Sequence, residues 1–197
     1  MTRRIVLDIE TQNLFSDVGG KENLVRLLLS VAGVYSYSDN KFLTFTEKEM
    51  PAFENLLRKT DLIIGFNINH FDLPVLQKYL SVDLSKIPAF DIMDEVVKAA
   101  GHRVSLDDLV INTLGKRKSA NGLLAVQYFR QGRMDELKKY CLDDVRLTRD
   151  LYEHGLKHSE IKFTARDANL PYIKTLKLNF AKYSGLEIKT SWTPSLF

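Results

Sequence analysis

The chain has 197 residues, 45% of them hydrophobic and 27% charged, with a formal net charge of +3, the profile of one globular domain rather than a disordered or membrane-spanning protein. A single cysteine, Cys141, excludes an internal disulfide and a cysteine-rich zinc site, and is expected to pack as a small hydrophobe. The longest apolar stretch, Leu27–Val34, is broken by Ser30 and Gly33, and Met-Thr-Arg-Arg-Ile-Val runs straight into an apolar segment, so neither a membrane span nor a signal peptide is expected and a cytoplasmic location is predicted.

In Arg3–Thr11, Arg-Arg-Ile-Val-Leu-Asp-Ile-Glu-Thr, the run Ile5-Val6-Leu7 suits a buried strand that Asp8 and Glu10 then interrupt two positions apart. Residues two apart on a strand share a face, so the spacing sets two carboxylates side by side. Their repulsion and the cost of burying charge are relieved by a cation, a divalent metal ion above all. A strand end where two acids reach solvent is the plainer alternative.

Gln12–Lys21 is polar and contains Gly19-Gly20, which reads as a loop. Leu24–Tyr37 is rich in strand formers, although its first half is open to another element, and Asp39-Asn40 is a turn leading into the alternating run Lys41–Thr46. The first three strands are thus predicted to form an antiparallel meander. Thr46 and Glu49 have capping-box spacing before the helical repeat of Met50, Phe53, Leu56 and Leu57, which ends near Lys59. Leu62-Ile63-Ile64, closed by Gly65, is a buried fourth strand, and a strand–helix–strand order of this kind usually returns parallel to its neighbour.

Next comes Phe66-Asn67-Ile68-Asn69-His70-Phe71-Asp72-Leu73-Pro74. Pro74 suits the first turn of a helix, which sets Asp72 near a helix N-terminus just beyond a strand, a usual ligand position in α/β sheets. Ile87–Phe90 is a short fifth strand, and Asp91 is an acid suited to capping the helix over Ile92–Ala100. Ser105-Leu-Asp-Asp is a capping box for a helix ending at Gly115. A basic loop, Lys116–Ser119, precedes two more helices, Ala120–Phe129 and Met134–Leu156. Residues 1–158 are read as one domain, and residues 159–197 as a C-terminal appendage with up to two strands and a loose end.

Within the last helix, Lys-Tyr-Cys-Leu-Asp-Asp places Tyr140 and Asp144 four residues apart, one turn along a single face, with Asp143 rotated away as a surface acid. The ordered set of Asp8 and Glu10, Asp72, and Tyr140 with Asp144 resembles the three exonuclease motifs of the DEDD superfamily in its tyrosine subtype. Proofreading domains of family B DNA polymerases and stand-alone predicted 3′–5′ exonucleases share those motifs. The resemblance covers Arg3–Leu156 and extends beyond the acids to Asp-Ile-Glu-Thr, Phe-Asn-Ile-Asn-His-Phe-Asp-Leu-Pro and Tyr-Cys-Leu-Asp-Asp. It implies an RNase H-like α/β fold, a mixed five-stranded sheet of a meander plus parallel strands, flanked by helices.

The resemblance also implies a metal-dependent 3′–5′ exonuclease acting on single-stranded DNA or RNA ends and releasing nucleoside 5′-monophosphates. Two Mg²⁺ or Mn²⁺ ions about 4 Å apart would activate a water and clamp the phosphate, and such hard ions require several oxygen ligands. By the resemblance, Asp8 bridges both ions, Glu10 and Asp144 hold the water-activating metal, Asp72 acts on the second, and Tyr140 orients the attacking water. Phe71 is a candidate for base stacking, Thr11 and Asn67 for the 3′-terminal nucleotide, and Lys116, Arg117 and Lys118 for phosphates. Asn69 reads more simply as a turn residue, and His70 as a loop residue. A non-catalytic nucleic-acid-binding module of a larger repair or processing assembly, and a phosphodiesterase of short oligonucleotides, are the alternatives.

Overall fold

In the computed structural model, which describes residues 2–117, 122–167 and 170–183, the alternation along the first strand decides which side of the molecule each residue serves. That strand, β1 (Arg4–Thr11), lies at the centre of a five-stranded sheet. β2 (Leu29–Ser36) and β3 (Lys41–Thr46) extend the sheet on one side as an antiparallel meander. β4 (Leu62–Gly65) and β5 (Ala89–Asp91) lie parallel on the other, so the order is β3-β2-β1-β4-β5. This is the mixed, helix-flanked RNase H-like sheet expected from the sequence.

On one face, Ile5, Leu7 and Ile9 pack with Ile63 and Val34 against Phe53 of α1 (Met50–Leu57) and Val75 of α2 (Asp72–Gln77). On the other, Val6, Ile64 and Tyr35 meet α3 (Ile92–Ala100), α4 (Leu106–Leu114) and the 25-residue α6 (Met134–His158). α5 (Gly122–Arg130) lies against α6, with Ala125, Leu137 and Val31 sharing a smaller apolar cluster. Each core phenylalanine, such as the fully buried Phe53 and Phe90, contributes about 1.5–3 kcal/mol by leaving water.

The capping signals act as their chemistry requires, with one division of labour. Thr46 N–H and Oγ1 both donate to Glu49 Oε2, at 2.8 and 2.7 Å, through a short 3₁₀ turn that leads into α1. Ser105 Oγ accepts from Asp108 N–H at 3.2 Å at the start of α4, while Asp108 Oδ2 accepts Thr164 N–H from outside the helix. The polar stretch after β1 contains two 3₁₀ turns, Phe15–Val18 and Lys21–Arg26, so β2 begins only at Leu29.

The segment expected as an appendage is a hairpin of β6 (Glu160–Asp167) and β7 (Leu170–Lys177). It is not loosely attached: Ile161, Phe163, Leu176, Leu178 and Phe180 are buried in the same cluster as α4, α6 and β4. A Cβ at Gly155 on α6 would collide with the Phe180 ring. Glycine there gives the ring a seat on the helix, so residues through Phe180 are fastened to the domain. No helix among the described residues is long and apolar enough to cross a membrane.

Candidate active site

β1 keeps its strand pairing with β4 only through Val6. Beyond that point its end is lined on one side by α6 and closed at its free edge by α2. Asp8 and Glu10 share a face, as the two-residue period requires, and stand opposite Gly33 and Val31 of β2. α6 crosses that face closely because Gly33 has no side chain: a Cβ there would lie 2.7 Å from Cys141 Sγ. This approach brings Asp144 to β1, and carboxylate oxygens of Asp8, Glu10 and Asp144 lie within 4.8 Å of one another.

Opposite oxygens of an octahedral site lie about 4–5 Å apart for metal–oxygen bonds of 2.0–2.5 Å. The three carboxylates therefore fit one shared coordination sphere for a hard divalent cation, and the all-oxygen donor set excludes a preference for soft metals. Asp8 and Glu10 are partly exposed, and Asp144 is buried, so one ligand is anchored while two face the cleft.

Asp72 enters from the other edge. At the start of α2 it accepts the Ile9 N–H on Oδ1 at 2.9 Å, taking the bond a neighbouring strand would have made. Burial holds its carboxyl above the ordinary range, opposed by the Ile9 N–H and its own amide and reinforced by the charge of Asp91. It lines the same cleft of about 820 Å³ as Asp8, Glu10, Tyr140 and Asp144, although it is not part of the three-carboxylate cluster. Tyr140 is buried one turn before Asp144 and packs with Val31 and Leu137.

The loop between β4 and α2 is held from α3. Asp91 Oδ1 accepts Asn67 N–H at 2.7 Å and Met93 N–H at 2.9 Å, and Oδ2 accepts Asn69 N–H at 2.9 Å. Burial raises this carboxyl too, against those three donated bonds. Asn67 adopts a left-handed conformation, φ 64°, and its Oδ1 accepts from Arg103 Nη2 at 2.6 Å. Asn69 Nδ2 donates to Asp94 at 2.7 Å, and His70 Nε2 lies 3.0 Å from the same carboxyl, so both serve the loop as expected.

A family model of the RNase_H superfamily matches residues 5–155. The chain belongs to the RNase H superfamily. None of the curated proteins matches the sequence, whereas 95 chains of known structure match the fold. One is the family B DNA polymerase of the hyperthermophilic archaeon Pyrobaculum calidifontis, with a TM-score of 0.60, 20% identity, and coverage of 79% of this chain and 25% of the polymerase. At that identity the likeness is one of fold, and this superfamily member spans a quarter of the polymerase's length.

Of the residues singled out by the sequence pattern and by the resemblance, this RNase H superfamily member brings Asp8, Glu10, Thr11, Asn67, Phe71, Asp72, Tyr140 and Asp144 to one cleft. Thr11 is buried and its hydroxyl donates to Asn13 O at 2.8 Å. Half-buried Phe71 meets the Phe15 ring edge-on at 5.8 Å. Lys116 and Arg117 do not line the cleft; Lys116 pairs instead with Asp150 of α6 at 2.7 Å, because the loop after α4 leaves on the far side of that helix from its cleft-lining first turn. Lys118 lies outside the described residues. Asp143 pairs with Arg146 away from the cluster.

Arg103, Asp107, Phe15 and Leu123 also line the cleft. None carries a linear signal, since each reaches the site through how α4, α5 and the first 3₁₀ turn pack. Cys141 does more than fill space: Sγ donates weakly to Asp8 O at 3.5 Å and Oδ2 at 3.7 Å. Burial, then the charges of Asp8, Glu10, Asp144 and Asp72, push the thiol well above its usual value and keep its proton in place.

Proposed function

We propose that this chain is a divalent-metal-dependent 3′–5′ exonuclease that hydrolyses the terminal phosphodiester of single-stranded nucleic acid and releases nucleoside 5′-monophosphates. The observation that carries the reading is the convergence of Asp8, Glu10 and Asp144 to within 4.8 Å at the floor of a cleft that Asp72 and Tyr140 also line. Residues 64 and 72 positions apart in the sequence, from Asp8 to Asp72 and from Asp72 to Asp144, meet there in the order and types of the tyrosine-subtype exonucleases.

When bound, a pair of Mg²⁺ or Mn²⁺ ions supplies a hydroxide at neutral pH and stabilises charge on the phosphate and the leaving 3′-oxygen. Asp8, Glu10 and Asp144 would hold the metal, with Asp72 acting from the edge of the cluster. Tyr140, one helical turn before Asp144 and lining the same cleft, orients the attacking water by hydrogen bonding. Phe71 and Phe15 offer ring faces and edges to a terminal base, a contact indifferent to base identity. Arg103 and Asn67 form a bonded pair at the wall and supply the cationic contact for a substrate phosphate.

The test is incubation of 5′-labelled and 3′-labelled single strands, DNA and RNA in parallel, with Mg²⁺ or Mn²⁺. The expected result is stepwise shortening of the 5′-labelled strand with labelled mononucleotide released at once from the 3′-labelled one. Asp8→Asn and Asp144→Asn are each expected to lower the rate by at least about 10³-fold. Turnover confined to dinucleotides, or strand binding without turnover in any metal, contradicts the proposal.

A further inference from the structure

The C-terminal hairpin carries a surface that neither the core nor the metal cluster uses. Near its base Ile161, Phe163 and Leu176 are buried, but toward its turn Leu170, Tyr172 and Ile173 are 73%, 47% and 55% exposed. Large apolar side chains exposed together mark an interaction surface more often than chance. By the register, Leu170, Tyr172 and Lys174 lie on the face that carries Phe163, and Ile173 and Arg166 on the other, so apolar and cationic side chains line both faces of this end; the two strands together carry four cations, Lys162, Arg166, Lys174 and Lys177, against two acids, Glu160 and Asp167.

The hairpin's register on α4 sets where this end lies. Lys162 N–H donates to Thr113 Oγ1 at 2.8 Å, Asn112 Nδ2 donates to Thr164 Oγ1 at 3.0 Å, and Thr164 N–H donates to Asp108 Oδ2 at 2.8 Å. β6 therefore runs antiparallel to α4, toward its N-terminus. The strand thus passes the Arg103–Ser105 corner on its way to Arg166. That corner, with Leu106 and Asp107, is a wall of the cleft, and His102 beside it packs its ring against Phe163 of β6 at 5.7 Å.

We propose that the turn end of the β6–β7 hairpin is a second contact for single-stranded nucleic acid, holding the part of the strand that leaves the cleft past Arg103; the inference rests on the exonuclease reading of the cleft. As the strand passes over this end, Lys174 on one face and Arg166 on the other meet phosphates, and Tyr172 with Leu170 beside it meets unstacked bases, a combination that grips single strands without reading sequence. A second copy of this chain would set two hairpins of net positive charge, four cations to two acids each, against one another. A flexible polyanion matches both the charge and the exposed ring.

The experiment measures binding of a fluorescein-labelled 20-nucleotide oligo(dT) by anisotropy, in EDTA, across a salt series. Arg166→Gln with Lys174→Gln is expected to weaken binding about tenfold and to reduce the slope of log Kd against log salt by about 1.4, two phosphate contacts at about 0.7 each. Tyr172→Ala is expected to weaken binding about tenfold at every salt concentration. Hydrolysis of the p-nitrophenyl ester of thymidine 5′-monophosphate with Mn²⁺, a substrate too short to reach the hairpin, stays unchanged in both variants. Affinity within twofold of the native chain and an unchanged salt slope overturn the proposal. So does a concentration-dependent dimer that dissociates on Ile173→Lys substitution while strand affinity stays the same. If the native chain hydrolyses neither that ester nor a single strand with Mn²⁺, the reading of the cleft fails, while the binding series still decides the hairpin's role.

Discussion

Replacing Gly33 by alanine would place a methyl group 2.7 Å from Cys141 Sγ and 3.1 Å from Val145 Cγ2, inside the contact that sets α6 against the sheet. Overfilling a packed core costs about 1–3 kcal/mol, offset by about 0.5–1 kcal/mol because alanine loses less backbone freedom than glycine in a strand. The mid-range net loss of about 1.3 kcal/mol lowers Tm by about 3–5 °C for a domain of this size. Since Tyr140 and Asp144 ride on the displaced helix, divalent-cation affinity falls with stability. Cys141→Ala removes the atom in the way, and the new methyl then fills the space left by Sγ. Urea unfolding of the native chain, both single variants and the double variant should therefore give a favourable coupling of at least about 1 kcal/mol. A neutral Gly33→Ala, or strict additivity in the cycle, would refute the claim that this close approach positions the site.

Phe163→Ala should destabilise the protein by about 3–5 kcal/mol in chemical denaturation, since its fully buried ring joins the hairpin to the main core; a loss under 1 kcal/mol would mean the hairpin is separable. Asp91→Ala removes the acceptor for three N–H groups and should cost about 2–4 kcal/mol. It should also speed amide exchange at Asn67 and Asn69, whereas unchanged exchange there would show that the loop is held by other means. Asp72 gives a pH signature with a definite sign. Its raised folded-state pKa means the native chain keeps a proton that the unfolded chain releases, so stability falls as pH rises from about 4. In EDTA, the Tm of Asp72→Asn should gain on that of the native protein between about pH 4 and pH 8, and a gap that shrinks with pH would contradict the assignment.

What could be read from the sequence was what periodicity and caps control. The Ile5-Val6-Leu7 run, the Asp39-Asn40 turn and the Thr46–Glu49 box each specify one local structure, and together they define the meander and first crossover. Spacing sets Asp8 with Glu10 on one strand face, Asp72 at a helix start and Tyr140 with Asp144 along one helix face, but their reading as one site rests on the resemblance to the tyrosine-subtype exonuclease motifs. The rest depends on tertiary packing. Lys116 looked available in a basic loop but lies where Asp150 can reach it. Arg103 meets Asn67, which sits 36 residues earlier, a pairing that no local pattern announces. The tail's alternation suggested strands, yet its attachment depends on Gly155 admitting Phe180, a complementarity invisible in either segment alone.

The account stands on acids distant in the chain forming one cation site, and titration of the purified protein with Mn²⁺, followed by electron paramagnetic resonance of the free ion, tests this most directly. Saturable binding by the native chain, weakened at least about tenfold by Asp8→Asn and by Asp144→Asn with the fold intact by circular dichroism, is the result predicted. Native-strength Mn²⁺ binding in both variants, or none in the native chain, would contradict it.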